Sequence, residues 1–546
     1  MSIKTSNYFD RSIMIAVCVA VIIFVLLPFV MVFLEAFFQD GTIDLAGFTR
    51  FFNQDIHLLK NSLKVGILTT VISTIVSVFI GIYAVSYGNR KTIENILLIT
   101  MISPPFVTSL SYINLFGRRG YITHGLFGLT LNTYGMWGIV LMQSVGYISL
   151  NALLVMSSVS RIDEETIQSA RDLGARSDHI VMDIILPSIK NTLVVVSMLT
   201  FVRSIADFGT PAIIGGNFST MATEAYLSMI AYGDINYAAV INTILFVPSL
   251  IAFIFYRRFV YEERSEGKGS ETTVKLEKKG FFRYITLFFS ILFLIWLLLN
   301  YLSILFSAFT KKRMGVPYFT LQNIIDTKPY ITGTFLRSIV YSLISGAGAA
   351  LIGLLIGYYI VLRKIKIMRF IDFIATIPYI IPGSFFGIGY ILAFKHEPFR
   401  LTGTAAIVVL NMLFRALPFS SKIGTEAASE VNPETVNSVR DLGGTHLSVI
   451  KDVMFKESSS GLFMSFANGF RSSMTTIGSI IFLVYPGKKV ATLVMFDVIQ
   501  SSKYNVGSVI ACIIILITLT VNLLARRLIK SSGKKSRVKN VSNLRK

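Results

Sequence analysis

Runs of about twenty apolar residues are the feature that most restricts what this chain can become. Ile13 to Leu34, Leu63 to Tyr87 and Val509 to Ala525 reach or approach the length a helix needs to cross a hydrocarbon core, which is roughly 20 residues. Composition agrees, with 53% of the 546 residues hydrophobic and only 15% charged, against about 25% charged in soluble domains. Apolar runs mark six spans in the first part of the chain, at about 13–36, 62–87, 93–116, 135–158, 191–214 and 235–256. Six more follow at about 283–309, 338–362, 369–394, 404–428, 459–485 and 505–525. The expectation is an all-α membrane protein of about 12 transmembrane helices.

A net charge of +21 raises nucleic acid as a partner, but the placement of the charge argues against it. Most basic residues sit in short connectors between apolar runs, as cytoplasmic loops do, rather than on one soluble face. Arg90 and Lys91 follow the second span, Arg257 and Arg258 the sixth, Arg363, Lys364 and Lys366 the eighth, and Arg526, Arg527 and Lys530 the twelfth. Each is an even-numbered exit, so both termini are expected in the cytoplasm. Arg118 with Arg119, and Lys311, Lys312 and Arg313, oppose this majority. The first apolar run exceeds a signal-peptide core and lacks a small-residue cleavage site, which reads as a retained anchor. Cys18 and Cys512 each sit inside an apolar run and read as small buried hydrophobes.

The chain divides into two similar halves, 1–258 and 282–527, with a charged linker at 259–281 and a basic tail at 528–546. From Arg526 onward there are nine basic residues and no acidic one, a composition drawn to anionic headgroups of the bilayer. FIGIYAV at Phe79–Val85 matches LIGYYIV at Leu355–Val361, and ETIQSARDLGARSDHIVMD at Glu165–Asp183 matches ETVNSVRDLGGTHLSVIKD at Glu434–Asp452. An even number of spans in each half makes these parallel rather than inverted repeats.

The longer repeat follows the fourth span of each half and reads as a helix, a glycine break and a second helix. Glu164 and Glu165 suit a helical first turn, and Gly174 and Gly443 suit a positive-φ stop. Ser177 or Asp178, and Thr445, are candidate N-caps of the next helix, and Pro187 marks the return towards the membrane. A simple surface hairpin would explain one such loop. Two at matched positions, with matched charges, favour recognition.

At these residues the chain resembles the permease subunits of ABC importers. Their loop reads Glu-Ala-Ala, three residues, Gly, nine residues, Ile, one residue, Leu-Pro. Gln168-Ser169-Ala170, Gly174, Ile184, Leu186 and Pro187 fit without a gap. The second copy is looser, with Asn437-Ser438-Val439, Gly443 and Val453, then Phe455 and Lys456 in place of Leu-Pro. Gln168 and Asn437 stand where the family has Glu, so the turn geometry carries the resemblance better than any one ion pair. The resemblance implies the type I permease fold with two parallel six-helix repeats, a bacterial plasma-membrane location, two copies of a cytoplasmic ATPase and an extracytoplasmic binding protein. It also implies that Glu165, Gln168, Ala170, Arg171, Asp172, Gly174, Ile184, Leu186 and Pro187 form the first ATPase-coupling loop. Glu434, Asn437, Arg440, Asp441, Gly443 and Val453 form the second, which is expected to dock differently. Fused versions look most like ferric-iron permeases, with thiamine, aminoalkylphosphonate and polyamine permeases as alternatives. Ala206 to Pro211, and Arg471 to Thr476 leading into Ile480 to Val484, lean towards the iron group.

Arg203 and Asp207 fall in the fifth span at i and i+4, a spacing that allows pairing. Arg471 takes the equivalent place in the eleventh, with Thr475 or Thr476 opposite Asp207. An unpaired charge at mid-membrane costs about 2.5–3.5 kcal/mol or more, so these residues should face the bundle interior. Two roles stay open for them, a static brace or a lining of the translocation path. Gly81, Gly357, Pro104, Pro105, Pro378 and Pro382 read as packing and bending positions. No G-x-x-x-x-G-K-[ST] occurs in the chain, so ATP binding is assigned to another subunit and no catalytic residue or cofactor is expected here. The five histidines are scattered without metal-ligand spacing. A secondary transporter of 6+6 design is the rival class, but its patterned loop would follow the second span, where only Gly88-Asn89-Arg90-Lys91 stands. A channel has less support, because no pore-lining signature is present.

Overall fold

The computed structural model describes residues 3–543 apart from 40, 102, 105, 131, 267–274, 278, 314–315 and 486. Among the described residues eight helices are long and apolar enough to cross a membrane: Tyr8–Phe37, Ala46–Tyr87, Met136–Val159, Ile235–Phe259, Phe281–Phe309, Thr334–Val361, Ala405–Ser429 and Tyr504–Ile529. Two bent pairs, Ser177–Ser188 with Lys190–Ile205 and Lys366–Ile380 with Gly383–Phe394, raise the number to ten if each pair is one span. Among the described residues eight to ten helices meet this test, against the about 12 expected from the apolar runs.

The four expected spans that are broken are the third and fifth of each half. In the third, the helix Arg90–Thr100 stops and Phe106–Phe116 begins beyond Pro104. Pro105 lies outside the described residues. In the ninth, Ile381 and Pro382 separate Ile377–Ile380 from Gly383–Phe394 with a 117° bend. Proline forces this, because it lacks an N–H and pushes the preceding residue out of the helical region. In the fifth, the helix ends at Ile205 and a short one runs Gly209–Ile214. In the eleventh, Ser459–Thr475 is followed by turns to Leu483. The repeat thus extends to where its helices fail.

Close helix crossings rest on small residues. In the second half, Thr334–Val361 meets Ala405–Ser429 where Gly353 and Gly357 face Ser420 and Gly424. A Cβ on Gly424 would lie 2.1 Å from the Gly353 carbonyl oxygen, and one on Gly357 2.2 Å from that of Gly424. Lipid supplies no hydrophobic drive between helices, so backbone-to-backbone approach of this kind is what holds them. In the first half, Gly81 meets Val155 instead, whose Cγ1 would lie 2.5 Å from a Cβ there.

The first helix of each half packs on the other half. Val21, Val25 and Val32 of Tyr8–Phe37 share a core with Phe385, Tyr390 and Phe414, and the Tyr390 hydroxyl donates to the Phe24 carbonyl (2.8 Å). In return, Phe293 and Leu297 of Phe281–Phe309 join the core of the first half, and Trp296 stacks on Phe116 at 5.5 Å. Each of these helices leads into a small hairpin, Phe38–Gln39 with Thr42–Ile43 and Thr310–Arg313 with Val316–Phe319. Lys311, one of the basic residues at odds with the loop-charge majority, pairs there with Asp326 (2.6 Å). Outward-facing Ile291, Ile295, Leu298, Leu302 and Leu305 leave an apolar stripe of the sort lipid covers.

Candidate functional site: two repeated loops and a basic interior

The two repeated loops adopt one backbone design. Asp163 caps the helix Glu164–Asp172 by accepting from the Glu165 N–H (3.1 Å), and Asn432 caps Pro433–Asp441 by accepting from the Glu434 N–H (2.9 Å). Both helices end in the same hydrogen-bonded turn. Gly174 N–H donates to the Arg171 carbonyl and Ala175 N–H to that of Ala170; Gly443 and Gly444 do the same to Arg440 and Val439. The glycines sit at φ of 84° and 75°, a region that costs an L-residue roughly 1–2 kcal/mol. This is the paired 6→1 and 5→2 arrangement of a glycine C-cap.

The chain then re-enters through Ser177–His179 and His446–Ser448, each continuing into a π-helical turn, Ile180–Ile185 and Val449–Met454. Such turns are rare and cluster at functional sites. Their buried faces hold Ile180, Val181 and Ile185 in one copy, and Val449, Ile450, Val453 and Met454 in the other. Ile184 and Leu186 are half-buried and Val453 is buried. Pro187 opens the short helix Leu186–Ser188, where its missing N–H costs nothing. The following break turns the chain by 64°. Phe455 and Ser458 manage the equivalent break without proline.

Outside this frame, Glu165, Gln168, Asp172 and Gly174 are exposed, with Ala170 and Arg171 half-buried. Glu434, Asn437, Arg440, Asp441 and Gly443 are exposed as well. A residue pair the sequence analysis did not single out stands at the tip of both turns. Leu173 and Leu442 are each 89% exposed, an unusual position for leucine and a repeated one. Their identity in both copies was the signal available in the sequence.

The side-chain ties differ between loops. Asp178 does not cap its own short helix, whose N-cap is Arg176 with no side-chain bond. Its carboxylate instead accepts from the N–H groups of Phe281 (3.1 Å) and Phe282 (3.0 Å), so it caps the first helix of the second half. The end of the linker also packs here: Arg171 donates to the Lys275 carbonyl, Leu276 N–H donates to the Ser86 carbonyl (3.1 Å), and the Leu276 side chain is buried in the first-half core. Thr445 does cap its helix, in a reciprocal bond pair with Ser448. Beside it the Tyr358 hydroxyl meets His446 Nδ1 (3.4 Å), the Tyr359 hydroxyl donates to the Asp10 carbonyl (3.1 Å), and Arg363 pairs with Asp10. Burial, then the positive charges of Arg363 and Arg440, hold the His446 imidazole below its ordinary 6.5 against the opposing pull of Asp10.

Between the halves, Asp207 and Arg203 are not paired. The helix stops at Ile205, so i,i+4 geometry no longer applies to residue 207. Asp207 instead caps the next short helix, accepting from the N–H groups of Gly209 (3.0 Å) and Thr210 (3.3 Å), and from Gln143 Nε2 (3.1 Å). Arg471 donates to Asn468 (2.6 Å), and Thr475 spends its hydroxyl on the Arg471 carbonyl (2.9 Å). Arg203 and Arg471 lie within electrostatic range of each other. Among the described residues no group of three His, Cys, Asp or Glu side chains is placed to hold a metal ion.

The family model described as "Binding-protein-dependent transport system inner membrane component" matches residues 77–262 and again 349–538. The chain is 25% identical over 541 residues to the "Ferric transport system permease protein FbpB" of Actinobacillus pleuropneumoniae, covering 93% of this chain and 77% of that one. It is 24% identical over 508 residues to the "Putative ferric transport system permease protein FbpB 1" of Haemophilus influenzae, covering 89% and 79%. A third relative, the "Putative 2-aminoethylphosphonate transport system permease protein PhnV" of Salmonella typhimurium, is 24% identical over 254 residues, 45% of this chain and 94% of its own.

Proposed function

Because the chain belongs to the family of inner membrane components of binding-protein-dependent transport systems, we propose that it is the fused two-half permease through which an ATP-driven importer moves ferric iron. Two copies of a cytoplasmic ATPase seat the loops at Glu165–Pro187 and Glu434–Val453, and an extracytoplasmic binding protein delivers the cargo. Both termini lie in the cytoplasm of a bacterium, the linker 259–281 joins six-span halves at 1–258 and 282–527, and the type I permease fold supplies twelve membrane crossings, four of them broken. ATP closure of the ATPases draws the loops together and opens the bundle outward; hydrolysis resets it inward. The binding protein meets the opposite end, around 217–234 and 486–504, where the described residues carry the short helices Met221–Ile230 and Ala491–Gln500.

The observation that supports this reading best is the pair of identical glycine-capped turns, each presenting one exposed leucine. A connector that only joined spans would have no cause to expose leucine twice at one place. Iron as cargo rests on the two ferric relatives, which match nearly the whole chain; the phosphonate relative matches less than half of it.

The test has two readouts. An ATPase subunit should co-purify with the full chain and be lost on deleting residues 171–183. Uptake into vesicles holding the complete complex, with ferric iron, thiamine, an aminoalkylphosphonate and a polyamine as alternatives, should be ATP-dependent and specific for iron. Iron uptake that persists without any ATPase would overturn the importer reading, and ATP-dependent uptake of another cargo would overturn iron.

A further inference from the structure

At the end of the bundle opposite the repeated loops, the two halves build the same platform and charge it oppositely. Tyr8–Phe37 starts beside the second loop, where Asp10 meets Arg363 and Tyr359, and Phe281–Phe309 starts on the Asp178 cap of the first. Both helices end at a platform. Asn236 donates to the Glu35 carbonyl near the end of the first helix (2.7 Å), and Asn505 to the Thr310 carbonyl just past the end of the second (2.9 Å). A short helix then hangs from a serine in each half. Met221 N–H donates to Ser62 Oγ (2.9 Å), and Ala491 N–H to Ser338 Oγ (2.7 Å). Direct side-chain contacts close each platform: Arg50 pairs with Asp234 (3.3 Å) in the first half, and Lys503 donates to the Tyr330 hydroxyl (2.8 Å) in the second.

The charges do not repeat. Residues 38–60 and 217–234 carry five Asp or Glu against two Lys or Arg, whereas 310–333 and 486–504 carry two Asp or Glu against seven Lys or Arg. On the first platform Arg50 is shared out among its neighbours, pairing with Asp234 and lying over the Tyr237 ring (3.9 Å), whose hydroxyl donates to Asp55. On the second, Lys489 pairs with Asp497 and Lys311 with Asp326 (2.6 Å), which engages both acids, while Lys328, Lys488 and Lys503 stand exposed. Solvated faces explain charge, but not opposite sign on two platforms of one build. Tyr232 is also 72% exposed in the turn between Ile230 and Asp234, an aromatic among charges of the kind that a partner covers.

We propose that the two platforms form one docking surface with a built-in polarity, for a protein whose facing side is basic over the first half and acidic over the second. On the importer reading, on which this rests, that protein is the extracytoplasmic binding protein. The polarity fixes its pose. Turned round, it would set like charges together on both platforms, so each end of the partner meets one half only. Opposite charge also draws the partner in, and salt screens that attraction beyond about 8–10 Å.

The test holds the full chain with its ATPase in lipid nanodiscs, without ATP, and uses the importer's own binding protein, purified loaded with ferric iron, as the probe. Its association rate should fall at least about tenfold as sodium chloride rises from about 50 to about 500 mM. At low salt the paired changes Lys488→Glu and Lys503→Glu should slow association about tenfold and alter dissociation less, and Glu224→Lys should act in the same direction. A photo-crosslinking amino acid in place of the exposed Tyr232 should capture only the end of the probe whose facing side is basic. The same group in place of the exposed Ser501 should capture only the acidic end. Salt dependence and cross-linking keep the test valid if a charge variant fails to fold. Absence of association at low salt, a rate indifferent to salt, unaltered rates in folded variants, or both ends captured at one position overturns the proposal. Unaltered rates with loss of bound anionic lipid would assign the lysines to headgroups instead, which also overturns it. ATPase co-purification and ATP-driven uptake are read separately, so these failures leave the importer reading standing.

Discussion

Replacing Leu173 with alanine separates the two things a loop residue can do, hold the chain together or hold a partner. At 89% exposure the side chain buries almost nothing within the chain, so its loss should change stability by no more than about 0.5 kcal/mol. If an ATPase groove covers it, full burial of a leucine is worth about 1.5–3 kcal/mol. Alanine retains a small part of that, which leaves a loss near 2 kcal/mol, or about thirtyfold in affinity. Leu442 has the same exposure and the same position past its helix, so Leu442→Ala should lose a similar amount, and the double variant more than either. The assay is titration of the ATPase onto nanodisc-held chain by biolayer interferometry, beside a thermal melt of each variant. Unchanged ATPase affinity in the double variant would refute the reasoning. A melting temperature several degrees lower would refute it differently, since the leucine would then be packed.

Gly424→Val places a Cβ 2.1 Å from the Gly353 carbonyl oxygen; overpacking of about 1–3 kcal/mol or more should appear as a lower melting temperature and aggregation in detergent, and wild-type stability would contradict the crossing described. Gly174→Val forces a β-branched residue to a φ of 84° at a cost of about 1–2 kcal/mol and should lower transport-coupled ATPase activity, so normal activity would argue against the turn. Asp178→Ala removes the acceptor for two N–H groups of the helix starting at Phe281, a loss of about 1 kcal/mol, read as faster proteolysis within 259–281; an unchanged rate would contradict the cap. His446, held below 6.5 in the folded chain, contributes stability that is complete above that pH and lost as pH falls below it, because the unfolded chain then takes up the proton more readily. The facing groups are Asp10, Arg363, Arg440 and Tyr358. His446→Gln should flatten the acid side of the melting-temperature profile below the ordinary histidine range, and an unaltered profile would remove His446 from the account.

Much of this architecture was legible because a helix in lipid must be long and apolar, a requirement that writes itself into twenty-residue runs. The glycine turns were legible for a similar reason, since only glycine takes that φ readily at both Gly174 and Gly443. What was not legible depends on where a helix stops. Arg203 and Asp207 look paired only if the helix continues, and it ends two residues before Asp207. Asp178 looks like a local cap because its partner is 103 residues away along the chain.

The two loops are equal in backbone and unequal in their ties. Each is fixed to the first helix of the opposite half, the first loop through the Asp178 cap on Phe281–Phe309 and the second through the cluster of Tyr358, Tyr359, Arg363 and Asp10 at the start of Tyr8–Phe37. On the proposed importer reading, a push on either loop would be delivered to a helix whose body lies against the other half. The first tie is made of backbone N–H groups on a carboxylate, with the linker end buried beside it at Leu276. The second is made of titratable side chains. In the second, His446 sits among charges that, with burial, hold its proton affinity below the ordinary value. Two loops built on one turn are thus tied to the opposite halves by different chemistry, backbone N–H groups on a carboxylate in the first and a cluster of side chains in the second.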